Sequence, residues 1–361
     1  MLILKLKMKI LITGGCGFLG SNLSAFYLRE GAHVTVIDYL FRRGSASNLA
    51  WLQSIKTSST FNFVQADLAD SEDVLNVFRR YGPFDFICHV GGQVAMTTSL
   101  VDPSRDMLTN VVGTFNVLEA ARRFSENALI AYSSTNKVYG DLVSLRYQEN
   151  TTRYVLPDYP NGFDEFMALD FSTPYGCSKG SADQYVRDWA RVYGLKTVVF
   201  RHSSIYGGRQ FASFDQGWIG WFCQKAMEQK SAYILGATIE PFTISGTGKQ
   251  VRDVLHADDL IRLYQIAYEK RESISGEIFN IGGGLENSLS LLELFALLSK
   301  KLDIPPLVYL RTPRRTSDQD FFVADISKAQ RVMGWQPNIS VSTGLDLMIE
   351  WIKDQYKNKV F

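Results

Sequence analysis

An α/β fold on a doubly wound parallel sheet is predicted by three features of this 361-residue sequence. Short apolar runs of strand length alternate with longer helical patterns, which implies parallel strands whose crossover helices cover both faces of a sheet. The first apolar run, Ile10-Leu11-Ile12, gives way after Thr13 to glycines spaced three apart, Gly14, Gly17 and Gly20, and a helical pattern follows. The second run, over 33–37, ends in an acid, Asp38. Strand, glycine turn, helix, strand and terminal acid form a βαβ unit of the Rossmann type, the signature of a dinucleotide site.

The glycines suit a pyrophosphate because no Cβ blocks the backbone and a helix N-terminus favours an anion. Phe18 and Leu19 lie in the same turn. Asp38 stands near the spacing of about 20 residues at which such units place the acid that accepts ribose hydroxyls. Residues 39–51, rich in Arg, Gly, Ser and Asn, suit a loop over the adenosine end. Arg42 and Arg43 there would suit a 2′-phosphate, but Asp38 would repel one, so NAD is favoured over NADP. Strand 61–65 brings Asp67 and Leu68 to its carboxyl end, where Asp67 either meets the adenine amino group or caps the helix that begins near Ser71.

A helix over 74–81 leads to a strand over 84–90 and to Gly91-Gly92-Gln93. A helix over 110–121 and a strand over 128–132 follow, and the strand opens into Ser133-Ser134-Thr135-Asn136. In such sheets ligands sit at the carboxyl ends of the strands, where all these polar turns fall.

Composition excludes several function classes. With 46% hydrophobic and 21% charged residues and a net charge of +1, the chain has no electrostatic bias towards nucleic acid or membrane surfaces. Cys16, Cys88, Cys177 and Cys223 are far apart and the four histidines are scattered, which points to a reduced cytoplasmic protein without a metal site. Met1 to Met8 alternate apolar and basic residues and read as an extension of the first strand rather than a signal peptide. No run reaches the roughly 18 apolar residues of a membrane span.

Further along, Tyr175 and Lys179 open a helix four residues apart and so share one face. An ammonium and an oxidised nicotinamide near a phenol both favour phenolate, which predicts Tyr175 as a general base for a substrate hydroxyl, with Thr135 bonding the same hydroxyl.

Taken together, Thr13 to Gly20, Asp67-Leu68 and the Tyr175 to Lys179 pair resemble the extended short-chain dehydrogenase/reductase family that acts on nucleotide-sugars. The resemblance covers nearly the whole chain. It implies an NAD-binding Rossmann domain over 1–200, to which 251–282 returns, and a smaller C-terminal α/β domain, mainly nucleotide-sugar-binding, over 201–361. It also implies a tightly bound NAD regenerated each cycle, with Gln93, Ser133 and His202 joining Gly14, Gly17, Phe18, Leu19, Asp38, Asp67, Leu68, Tyr175 and Lys179 around it. Thr135 stands where the family places its catalytic serine or threonine. Arg252, in a segment over 243–259, resembles the arginine that holds the sugar-nucleotide pyrophosphate, and Arg315 and Asp318 resemble the later pair on phosphate and ribose. Asn136, Ser204, Arg209 and Gln216 complete the substrate residues implied.

Longer stretches, 92–99, 133–141, 200–210 and 215–225, are similar to the CDP-hexose 2-epimerases of the family, which implies a CDP-sugar substrate and a homodimer or homotetramer built on helices over 113–121 and 180–191. The competing readings are a UDP-hexose 4-epimerase and a catalytically silent NAD-binding regulator. Where the family's 4,6-dehydratases follow the threonine with an Asp-Glu pair, this chain has Asn136-Lys137, so loss of water is not expected. Gly91-Gly92 in place of an alanine pair is expected to leave room near the nicotinamide. Trp218 and Trp221 either stack a cytosine or pack a core, His202 either partners the cofactor amide or takes part in chemistry, and 146–170 is expected as a long loop near the sugar.

Overall fold

A computed structural model describes residues 7–315 and 317–357. Residues 1–6 of the alternating N-terminal run lie outside them. Seven strands form a parallel sheet: β1 (Lys9–Thr13), β2 (His33–Asp38), β3 (Phe61–Gln65), β4 (Phe86–His89), β5 (Leu129–Thr135), β8 (Lys196–His202) and β12 (Glu277–Ile281). Two short strands, β6 (Gln148–Glu149) and β7 (Tyr154–Val155), intervene as an antiparallel hairpin. Spatial order across the sheet is β12-β8-β5-β4-β1-β2-β3. The chain thus grows outward from β1 to β3 and then crosses back to β4, so its direction switches between β1 and β4, where an open sheet has its ligand crevice.

Alternation of side chains puts every strand's apolar residues on two faces. Ile10, Ile12, Val34, Val36, Phe86, Cys88, Leu129, Ala131 and Phe200 face the layer with the helices Phe18–Arg29 and Ala257–Glu269. Leu11, Ile37, Ile87, Ile130 and Val199 face the layer with Ser71–Tyr81, Gly113–Phe124 and Thr173–Tyr193. This two-sided burial is why the strands read as continuous apolar runs in the sequence.

Beyond β8 the chain builds a smaller unit. β9 (Ser204–Tyr206) pairs with β11 (Val251–His256), which also pairs with β13 (Ser288–Ser290) and β15 (Phe321–Phe322). β10 (Phe242–Ser245) pairs with β14 (Tyr309–Thr312). The helices Trp218–Leu235, Leu291–Leu302 and Val341–Lys357 share an apolar cluster with β10 and β11. The helix after β11 returns to the first unit and leads into β12 at the edge of the large sheet.

Residues 146–170 are largely irregular, as expected of a long loop, but none of them lines the crevice. They carry the β6–β7 hairpin, and Phe163, fully buried, packs on Phe322 while its N–H donates to the Val323 carbonyl. Aromatic rings, among them Tyr147, Tyr159, Phe163, Phe321 and Phe322, and apolar neighbours give this segment a core of its own beneath β15, which draws it away from the crevice.

Candidate functional site

At the switch point β1 ends in the glycine turn. Gly14 has φ +64°, and a Cβ there would lie 2.6 Å from the Gly91 Cα at the end of β4. A Cβ on Gly20 would sit 2.1 Å from the Gly14 carbonyl oxygen, so the first helical turn packs directly on the strand end. Gly17 is the N-cap of the helix and supplies no side chain, which leaves the first N–H groups facing the crevice. Asp38, ending β2, accepts from the Cys16 N–H at 2.9 Å and the Leu40 N–H at 2.7 Å, while burial raises its pKa against those bonds.

Two adjoining pockets meet here. One, about 260 Å³, is lined by Asp38, Asp67, Leu68 and Gln93 together with Tyr39, Phe41 and Arg105. The larger, about 490 Å³, runs from Gly14, Gly17, Phe18 and Leu19 past Ser133, Thr135, Asn136, Tyr175, Lys179 and His202. Its far wall holds Ser204, Arg209, Gln216, Arg252, Arg315 and Asp318 from the C-terminal unit. Gly14, Arg42 and Gly92 line both pockets, so every candidate residue faces one continuous crevice.

The open alternatives for Asp67 are decided by its neighbour. Asp70 caps the helix Ser71–Tyr81, accepting from the Glu72 and Asp73 N–H groups. Asp67 is left for the smaller pocket, where it pairs with Arg105 at 3.5 Å. Arg105, which the sequence reading passed over, also lies 5.5 Å from the rings of Tyr39 and Phe41 and closes that pocket from outside.

Tyr175, on the first turn of its helix, lines the crevice together with Thr135 at the end of β5. Burial raises its pKa from 10.0, with Asp106 adding to the rise and Thr135 opposing it. Lys179 Nζ donates to the Ser133 carbonyl at 2.5 Å and lies 4.2 Å from the centroid of the Tyr132 ring. Burial lowers its own pKa to about 7.

Gly91 and Gly92 do not create spare room. A Cβ on Gly92 would lie 2.7 Å from Asn110 Oδ1 and one on Gly91 2.9 Å from the Gly14 nitrogen, so close packing requires both glycines. Asn110 sits in a π-helical turn, Met107–Val112, and its side chain accepts from the Gln93 N–H and donates to the Gln93 carbonyl and Ser178.

On the far wall Arg252 Nη2 bonds Asp318 at 2.8 Å, and Gln250 donates to the other Asp318 oxygen. Arg315 donates to Ser245 and lies 4.5 Å from the Phe214 ring. Ser204 accepts from the Trp218 indole at 3.1 Å. Arg209 lines the crevice while its guanidinium stacks 3.9 Å from the Trp51 ring and its carbonyl accepts from Asn48. Asp253 and Asp259, in the same motif as Arg252, are buried structural acceptors. Asp253 takes the N–H groups of Gly284 and Ala324, and Asp259 those of Asn338 and Ile339.

The crevice fits a dinucleotide on three counts: the glycine cradle, the acid ending β2, and His202. His202 is 4% exposed, lines the crevice with neither ring nitrogen bonded to the protein, and is held neutral by burial and by Lys179. Among the described residues no cluster of metal-ligating side chains occurs.

The family model described as GDP-mannose 4,6 dehydratase matches residues 11–348. A CDP-paratose 2-epimerase of Salmonella typhi is 54% identical over 95% of this chain and 99% of its own. A dTDP-glucose 4,6-dehydratase of Salmonella typhimurium is 32% identical over 95% of this chain and 92% of its own. Among solved structures, a UDP-glucuronic acid 4-epimerase of Bacillus cereus, in complex with UDP-glucuronic acid and NAD, superposes with a TM-score of 0.78 at 25% identity, covering 97% of this chain and 100% of that one.

Proposed function

The chain belongs to the GDP-mannose 4,6 dehydratase family, within the extended short-chain dehydrogenases/reductases, and on that premise we propose that it is an NAD-dependent epimerase inverting C2 of a CDP-hexose. The observation that carries the sugar and the carbon is the similarity to the Salmonella typhi CDP-paratose 2-epimerase along almost the full length of both chains. The substrate pair is CDP-paratose and CDP-tyvelose, or CDP-glucose and CDP-mannose.

Residues 1–200 with 251–282 hold the cofactor, and 201–361 mainly hold the nucleotide-sugar. The glycine turn receives the NAD pyrophosphate, Asp38 its adenosine ribose, Asp67 and Leu68 its adenine side, and His202 the carboxamide. Gln93, Ser133 and Lys179 surround the nicotinamide end. NAD, when bound, would supply a hydride acceptor and donor next to the sugar carbon and, while oxidised, positive charge beside the phenol. Arg252 and Arg315 supply cations for the sugar diphosphate, and Asp318, already fixed by Arg252, accepts from the nucleotide ribose. Phe214 and Trp221 offer aromatic faces to a base.

Tyr175 takes the proton of the C2 hydroxyl as the hydride leaves the same carbon, and Thr135 steers that hydroxyl. The product of this half is a planar 2-keto sugar. Once it has turned in the crevice, Tyr175 returns the proton to the oxygen as C2 is reduced from its other face, so no net redox change remains. Asn136 and Lys137 provide no carboxylate pair next to Thr135, which favours epimerisation over elimination. The protein works in the cytoplasm, consistent with its free cysteines, and as a homodimer or homotetramer, consistent with exposed Phe115, Tyr185, Val192 and Tyr193 on neighbouring helices.

The test is to incubate the purified protein, with no added cofactor, with CDP-glucose in heavy water and follow it by proton NMR. CDP-mannose without deuterium at C2 is the expected product. Conversion of UDP-glucose to UDP-galactose instead would keep the fold and Tyr175 and move the chemistry to C4.

A further inference from the structure

Behind Thr135 lies a chain of hydrogen bonds that crosses between the two units of the molecule. Gln319, fully buried beside Asp318, donates from Nε2 to the Gly140 carbonyl at 2.6 Å and accepts at Oε1 from Asn136 Nδ2 at 2.9 Å. A carbonyl oxygen only accepts, so the Gly140 carbonyl settles which way the Gln319 amide points. Oε1 then has to face Asn136, and Asn136 has to answer with its NH₂. The Asn136 carbonyl oxygen is thereby turned towards the Thr135 hydroxyl, at a long 3.5 Å. One backbone carbonyl orients two side-chain amides and a catalytic hydroxyl in sequence.

Asn136 and Gly140 bracket the 3₁₀ turn Asn136–Tyr139 that follows Thr135, so Gln319 holds both ends of that turn. A second tie runs in parallel, from Lys137 Nζ to the Ser317 carbonyl at 2.7 Å. Both ties reach the short segment that carries Asp318, the partner of Arg252. A ligand gripped by Arg252 and Asp318 therefore acts on the segment that sets the direction of Thr135.

We propose that Gln319 is a positioning residue for the epimerisation: it orients Asn136, and through it the Thr135 hydroxyl, and it transmits nucleotide binding at Asp318 to the reacting end of the crevice. The inference rests on the epimerase reading above. Thr135 Oγ1 already accepts from the Lys137 N–H at 3.2 Å, and its own proton points to Asn136 Oδ1, so its donor direction is the one that Asn136 sets. The long Thr135 to Asn136 contact holds that proton weakly and releases it to a substrate oxygen. Binding energy from the distant nucleotide is in this way used for orientation at the sugar.

Gln319→Met keeps the length of the side chain and deletes both hydrogen bonds. Its kcat for CDP-glucose should fall about 10- to 100-fold with KM within about twofold, because misdirection at the reacting group is paid in turnover. Bound NAD, read by absorbance of the denatured protein, should be unchanged. In an Asn136→Ala background the same substitution should change kcat less than about twofold, since the effect passes through Asn136. Equal losses in both backgrounds, or a loss confined to KM, would overturn the role.

If Gln319→Met does not accumulate as folded protein, Asn136→Asp carries the test. It is nearly isosteric but sets a carboxylate oxygen against Gln319 Oε1, so it should be slower than Asn136→Ala, and Asp equal to or faster than Ala would refute the relay. A wild type inactive towards CDP- and UDP-hexoses defeats the epimerase reading itself; an active wild type with additive variants defeats only the role of Gln319.

Discussion

Lys179 allows stability and activity to be moved in opposite directions. Its side chain is 4% exposed, and burial lowers its pKa from 10.5 to about 7. At about 1.4 kcal/mol for each tenfold in proton affinity, holding this charge inside costs the fold about 5 kcal/mol. Below pH 7 both folded and unfolded chains carry the proton and the cost is complete. Between pH 7 and 10.5 only the unfolded chain carries it, so the cost shrinks as pH rises, and above 10.5 it is gone.

Lys179→Met removes the charge and keeps an apolar stem beside the Tyr132 ring. Against the gain stand the bond to the Ser133 carbonyl and the contact with the ring, together about 3 kcal/mol. The variant should be more stable than the wild type by about 2 kcal/mol at a pH of about 6, a rise in Tm of about 3 °C. At a pH of about 10 the folded lysine is neutral, so most of the gain and the cation–π contact are both gone, and the variant should melt within about 1 °C of the wild type. Calorimetry of both proteins at the two pH values, beside a turnover assay in which the variant loses at least about 100-fold, tests this. A difference in Tm that does not change with pH, or a variant less stable than wild type at low pH, would refute the assignment of a buried ammonium.

Three further outcomes can be checked with standard assays. Tyr175→Phe should lower turnover by about 10³-fold or more while bound NAD stays at wild-type level; near-normal turnover would take the base role from this tyrosine. Gly20→Ala drives a methyl to 2.1 Å from the Gly14 carbonyl oxygen and 2.6 Å from the Gly15 Cα, both backbone atoms that have no room to retreat. It should cost on the order of 3 kcal/mol, and the purified protein should contain little NAD. Arg252→Met leaves Asp318 without its partner and removes a cation from the far wall; initial-rate kinetics should show KM for the CDP-sugar raised about 10- to 100-fold with kcat changed far less.

The sheet and the cofactor end were legible because their signals are local. A strand buried on both faces has to be an apolar run, and a turn in which a Cβ on Gly20 would strike Gly14 has to spell glycine within a few residues. Tyr175 and Lys179 were legible as a pair because helix geometry places residues four apart on one face. Their other partners were not: Lys179 also meets Ser133 and Tyr132, neighbours that only the packing of the helix on β5 supplies.

Several local rules were incomplete for the same reason. Two glycines at 91 and 92 suggest space, yet the Gly14 backbone and Asn110 fill it. Arg209 is expected on the substrate, yet its guanidinium also finds Trp51, which no local pattern announces. A polar, proline-bearing segment over 146–170 is a loop as expected, yet Phe163 finds Phe322 and anchors it away from the crevice. The sequence by itself determined which side chains have the chemistry, the spacing of the βαβ unit and the strands that carry them. Tertiary structure alone decided how those side chains point, because orientation depends on partners with no local signature: Asn136 meets Gln319 183 residues away, and nothing in the neighbourhood of either residue announces the other.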